Sequence, residues 1–145
     1  MKIVGTIEKN RIIIPVEIKI DKFNLSGSAD FLIDTGATTS FINESTVRKI
    51  GLDYSKLLYV DDPVGIGGKA ELYEIEGYTR LTFEFNEQKK IIPKKKFHAL
   101  KHNFCEHIDP DTQKKVLALE GIFGLDMIKG WRLFIKGKNY QLEIK

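Results

Sequence analysis

Phe31-Leu32-Ile33-Asp34-Thr35-Gly36-Ala37-Thr38-Thr39-Ser40-Phe41-Ile42 is the stretch on which the reading of this chain turns. An apolar triplet of the kind that fills a buried strand runs straight into a carboxylate. A Thr-Gly turn follows, and apolar residues then resume. Burial at a strand end would desolvate the Asp34 carboxyl and raise its pKa unless donors compensate. Gly36 lets the backbone come close, and the Thr35 hydroxyl can fix the turn. Taken alone, Asp-Thr-Gly also reads as an ordinary turn between two strands.

Outward from this stretch the pattern is mostly strand-like, with β-branched and aromatic residues in short runs bounded by turn residues. Lys2 to Ile7 and Arg11 to Ile20 read as two strands around a Lys9-Asn10 turn. Val16, Ile18 and Ile20 alternate with Glu17 and Lys19, as expected for a sheet with one wet face. Asn24, Ser26, Gly27 and Ser28 read as a loop before Phe31. On the other side, Asn43 is a candidate N-cap for a short helix through Val47 and Ile50, and Gly51 sits where a left-handed C-cap belongs. Val60 onward predicts a long hairpin with its tip at Gly65-Ile66-Gly67-Gly68 and a return from Ala70 to Tyr78. Leu81 to Phe85, Ile91-Ile92 and Phe97 to Leu100 are further strand candidates, and 101–115 reads as a polar surface excursion. Ile122 to Ile128 repeats the earlier theme of apolar run, glycine turn and aspartate. A last hairpin turns through Gly137-Lys138-Asn139.

The 145 residues carry 42% hydrophobic and 30% charged side chains and a formal net charge of +3, which fits one domain spanning 1–145. A chain of this size buries roughly 70% of its unfolded surface, so it can hold a core without staples. A single cysteine excludes an internal disulfide framework and points to a reducing compartment or to no redox role at all. No apolar run approaches the ~20 residues of a membrane helix, and Glu8, Lys9 and Arg11 interrupt the N-terminal run as no signal peptide does. The expectation is a soluble, cytoplasmic protein with no membrane partner.

The Phe31–Ile42 stretch, the glycine-rich hairpin about 30 residues on and the late Ile-Phe-Gly-Leu-Asp segment together resemble the retropepsin-like aspartic proteases. This group includes retroviral proteases, their bacterial and archaeal relatives, and a domain of ubiquitin-shuttle proteins. The resemblance runs from about Ile12 to Ile144, with an extra stretch near 101–118. It implies an all-β, single-lobe closed barrel with one or two short helices and a flap hairpin. It also implies a homodimeric endopeptidase acting on peptide or protein substrates without a cofactor. Such chemistry needs two carboxylates sharing one proton. One Asp-Thr-Gly and 145 residues leave only Asp34 of a second copy to supply the other. By the same resemblance Thr35 braces the paired loops and Gly36 meets the substrate backbone. Ala37, Thr38 and Thr39 line the substrate channel, and Gly65, Ile66, Gly67 and Gly68 close over it. The terminal strand regions help form the dimer sheet. Asp126 supports the loop rather than acting as the second carboxylate. Two departures stand out. Thr38 and Thr39 replace acidic residues common in retroviral enzymes, and Leu125 stands where those often carry an arginine. A non-catalytic peptide-binding domain on the same fold is the alternative.

Two further clusters invite other chemistry. His98, His102, Cys105 and His107 include every histidine and the one cysteine, which are zinc-ligand types. Their spacing matches no common zinc pattern and lysines lie close by, so they read as loop residues, with no metal expected. Lys89, Lys90, Lys94, Lys95, Lys96 and Lys101 form a basic cluster without an arginine fork or a stacking motif. They read as guards of an exposed strand edge rather than as a nucleic-acid surface.

Overall fold

The computed structural model describes residues 1–61, 64–65, 68–104 and 108–145, with side chains described outside 61–68. The strands are Lys2–Thr6 (β1), Ile13–Ile20 (β2), Leu25–Ile33 (β3), Phe41–Ile42 (β4), Leu58–Asp61 (β5), Val64–Gly65 (β6), Gly68–Phe85 (β7), Gln88–Phe104 (β8), Gly121–Phe123 (β9), Arg132–Lys136 (β10) and Asn139–Glu143 (β11). The helices are Glu44–Ile50 (α1), Pro110–Ala118 (α2) and Leu125–Ile128 (α3). Six strands in the order β2-β3-β9-β4-β8-β7 form the barrel wall, and a β2–β7 pairing closes it. β5 and β6 flank β7, while β1, β11 and β10 make a separate three-stranded sheet. The fold is therefore all-β in its frame, as the sequence predicts. Among the described residues no helix is long and apolar enough to cross a membrane.

β2 shows why the wall curls around a core. Its Ile14, Val16, Ile18 and Ile20 are all buried while the residues between them face out, the period of two that a half-buried strand requires. The core they enter is aromatic: Phe31, Phe83, Phe97 and Phe123 have no exposed surface. Phe31 stacks on Phe123 at 4.2 Å, and Trp131 meets both Phe83 and Phe123 edge-on. Full burial of one such side chain is worth about 2–3 kcal/mol, so this cluster holds β3, β7, β8 and β9 together.

Several local expectations change. Lys9 and Asn10 do form the tight turn, both at positive φ, yet only a Glu8–Arg11 bridge follows it. β1 and β2 part into different sheets. Ser26, Gly27 and Ser28 belong to β3 rather than to a loop, paired with Lys19, Ile18 and Glu17. Small residues are needed there because a Cβ on Gly27 would lie 2.4 Å from the Ile50 side chain of α1. The separate strands expected in 70–85 and 91–100 are two long ones, each bent at one bulge where the register shifts between Ile75 and Tyr78. Gly77 there takes φ 77°, which glycine adopts without penalty. Finally, 101–104 extend β8, and α2 starts at Pro110 behind an Asp109 cap, so most of the described part of this excursion is strand and helix.

Candidate active site

Asp34 follows the last residue of β3, and β3 is fixed there from both sides. It pairs antiparallel with β2 and parallel with β9, with Ile33 opposite Phe123. The Asp34 N–H donates to the Phe123 carbonyl at 3.0 Å, and the Ala37 N–H donates to the Asp34 carbonyl at 3.2 Å. The Gly36 N–H donates to Asp34 Oδ1 at 2.9 Å, so the turn orients the carboxylate with its own backbone. Asp34 is half-buried, while Thr35 and Gly36 are exposed. The carboxylate is thus held in place and open to solvent on one side, rather than sealed as a buried strand end would have it. Ala37 and Thr39 are half-buried on the same turn, and Thr38 is exposed.

The 124–126 segment braces this turn. The Leu125 N–H donates to the Ala37 carbonyl at 2.8 Å and the Asp126 N–H to the Thr38 carbonyl at 3.3 Å. Asp126 Oδ1 accepts both the Ser40 N–H (3.0 Å) and the Ser40 hydroxyl (2.6 Å), and Ser40 Oγ accepts the Gly124 N–H at 2.8 Å. Ser40 is fully buried within this knot. The contact is close: a Cβ on Gly124 would sit 2.7 Å from the Ala37 carbonyl oxygen. Asp126 is therefore bound up in supporting the loop, as expected. Ser40 is the site residue that the sequence reading missed. Its one local signal is a small hydroxyl set immediately before the apolar pair Phe41-Ile42.

Of the hairpin residues, Gly65 pairs with Gly68 and Val64 with Lys69. Ile66 and Gly67 lie outside the described residues. So do Cys105 and His107 of the histidine–cysteine window. The two described histidines are engaged within β8. His98 lies opposite Glu74 and beside Phe41, and burial pushes its imidazole below the ordinary pKa. His102 Nε2 lies 2.7 Å from Asn43 Oδ1. The Asn43 amide nitrogen donates to the Val116 and Leu119 carbonyls (3.0 and 2.8 Å), so its oxygen accepts and the proton sits on His102 Nε2. Burial lowers the His102 pKa as well. Among the described residues no group of three or more His, Cys, Asp or Glu is arranged to hold a metal ion.

Residues 15–76, which contain the Asp34 turn, match the aspartyl protease family model. The structure is similar over 99% of its length to 91% of a retropepsin-like aspartic protease from Rickettsia conorii, with a TM-score of 0.57 at 15% identity. The chain has the retropepsin-like fold. Similar structures also include EIAV protease complexed with the inhibitor HBY-793 (17% identity, 88% of this chain and 95% of that one, TM-score 0.49). Another is the retroviral protease-like domain of Ddi1 from Leishmania major (20% identity, 87% and 82%, TM-score 0.45). No curated protein matches the chain by sequence.

Proposed function

We propose that the chain is a single-domain aspartic endopeptidase that works as a homodimer, with Asp34 of each copy forming the catalytic pair. The observation that carries this reading is the Asp34 carboxylate, oriented by the Gly36 N–H in an open turn and braced from behind by 124–126. Two such carboxylates facing each other across a two-fold axis cannot both ionise, so they share one proton. The ionised member takes a proton from a water molecule, and the water oxygen attacks the scissile carbonyl carbon. The protonated member gives its proton to the carbonyl oxygen. Collapse of the tetrahedral intermediate breaks the C–N bond and returns a proton to the leaving amine. The exposed Thr35 hydroxyl is free to bond its counterpart across the axis. Gly36, Ala37, Thr38 and Thr39 line the substrate side of the turn. The Gly65–Gly68 hairpin covers the peptide as a flap.

The three-stranded sheet supports a place for the dimer surface. All five residues of β10 are exposed, and Leu133, Phe134 and Ile135 are 37%, 54% and 58% accessible on a strand with one edge unpaired among the described residues. Apolar exposure on both faces of an edge strand calls for a partner strand, and a second copy supplies one. The second reading, peptide binding without cleavage, draws on Thr38 in place of an acidic anchor and on the exposed Leu125. One variant separates them. Asp34→Asn keeps the dimer and abolishes cleavage of a peptide mixture read by mass spectrometry. Undiminished cleavage by that variant overturns the catalytic reading.

A further inference from the structure

The 17 residues of β8 contain six lysines and no Asp or Glu. Two of these lysines have acidic residues across the ladder. Lys89 lies opposite Glu84 and pairs with it at 3.2 Å, and Lys101 lies opposite Glu71. The ladder partners of Lys90, Lys94 and Lys95 are Phe83, Thr79 and Tyr78, which offer no countercharge. Lys96 stands at the bulge with φ 56°. Among the described residues no ion pair engages any of these four.

This run is also a free edge. β8 meets β4 only at His98 and Ala99, so residues 88–96 have β7 on one side and, among the described residues, no strand on the other. Successive side chains alternate between the faces. Lys89, Ile91 and Lys95 share one face, Lys90, Ile92 and Lys94 the other, and Ile91 is 52% exposed. The edge therefore has an apolar centre with lysines at both ends on both faces. A second copy laid against it would meet like charges, which destabilise a cross-strand pair. The same charges attract a chain of opposite sign.

We infer that the 88–96 edge binds an extended, acidic polypeptide segment as an added strand. This site is independent of the cleavage reading. Backbone pairing aligns the segment, its apolar centre covers Ile91 and Ile92, and its flanking carboxylates meet the four uncompensated lysines. Pro93 lacks an N–H and removes one ladder bond, so the charges carry more of the affinity and binding weakens in salt. Nucleic acid fits less well, because the edge has no arginine and the neighbouring Arg80 is held by Asp21 at 2.9 and 3.2 Å.

The test uses the full chain carrying Asp34→Asn, so that binding is read without cleavage. The probe is a fluorescein-labelled peptide with two glutamates on either side of a Val-Val-Thr centre. Its lysine counterpart and a short deoxythymidine single strand serve as comparators. Fluorescence anisotropy at low salt is expected to show saturable binding of the glutamate peptide only. Lys90→Glu/Lys94→Glu/Lys95→Glu weakens that binding by about tenfold or more, in line with the loss of several cross-strand charge pairs. The pair Lys95→Glu/Lys96→Glu, at two exposed positions, weakens it in the same direction and keeps the test valid if the triple variant folds poorly. Equal affinity of wild-type and variant edges overturns the proposal. So does failure of the glutamate peptide to bind, or binding of the single strand as tight as that of the peptide.

Discussion

With its hydroxyl donating to Asp126 and accepting from Gly124, Ser40 ties its own turn to one segment that lies 86 and 84 residues away in the chain. Ser40→Ala leaves the Gly124 N–H without its partner in a fully buried place and takes two-fold support from Asp126 down to one bond. An orphaned buried donor costs about 1–3 kcal/mol, so the urea midpoint should fall accordingly, and peptide cleavage should drop as the Asp34 turn loosens. A variant as stable as the wild type would show that the bond contributes nothing. At this scale the sequence revealed what is local. Asp34, Thr35 and Gly36 are adjacent, and their residue types alone suggest a carboxylate in a turn. Ser40 and Asp126 reveal each other only when folding brings them to 2.6 Å, and no spacing rule links residues so far apart.

Helix α2 is the element that the sequence reading passed over, and its cap is its weak point. Asp109 Oδ1 accepts the Thr112 N–H at 2.8 Å, and its other oxygen accepts the Thr112 hydroxyl at 2.9 Å. These bonds hold the Asp109 carboxyl below its usual pKa. Asp109→Ala should lower the midpoint of chemical denaturation while leaving cleavage unchanged, because the helix makes no bond to the Asp34 turn. The signal was present: Asp-Pro is an N-cap followed by a first-turn proline. The eight charged or amide side chains of 101–115 instead point to a polar surface segment. Helix α1 was legible because Gly51 does close it at φ 78°. Even so, the Asn43 side chain makes no cap bond of its own and reaches across to the end of α2. The long strands β7 and β8 were read as fragments for a related reason. Strand patterns break where a bulge changes which face a side chain takes, although the backbone ladder continues through it.

For the molecule as a whole, two outcomes test how its parts act together. Ile135→Lys puts a charge on the exposed edge of β10, where folding of one chain is indifferent to it. Sedimentation equilibrium should show the variant as a monomer with an unchanged circular dichroism spectrum, and its cleavage activity should vanish. A dimeric variant would place the interface elsewhere. Stability should also depend on pH through the two half-buried histidines. Burial depresses both His98 and His102 below 6.5, so the unfolded chain takes up their protons first as the pH falls. Their contribution is complete above pH 6.5 and is lost on the way down to the folded values. Urea midpoints at about pH 7.5 and about pH 5.5 should differ in that sense, and His98→Gln/His102→Gln should narrow the gap. The barrel has one more consequence. β9, made of residues 121–123, stands between β3 and β4, strands that precede it by about 80 residues or more. A nascent polypeptide leaving the ribosome thus carries an unclosed wall, and its Asp34 waits without the Phe123 carbonyl until β9 has followed. An architecture of this kind delays its own closure, because the keystone is synthesised long after the strands it locks.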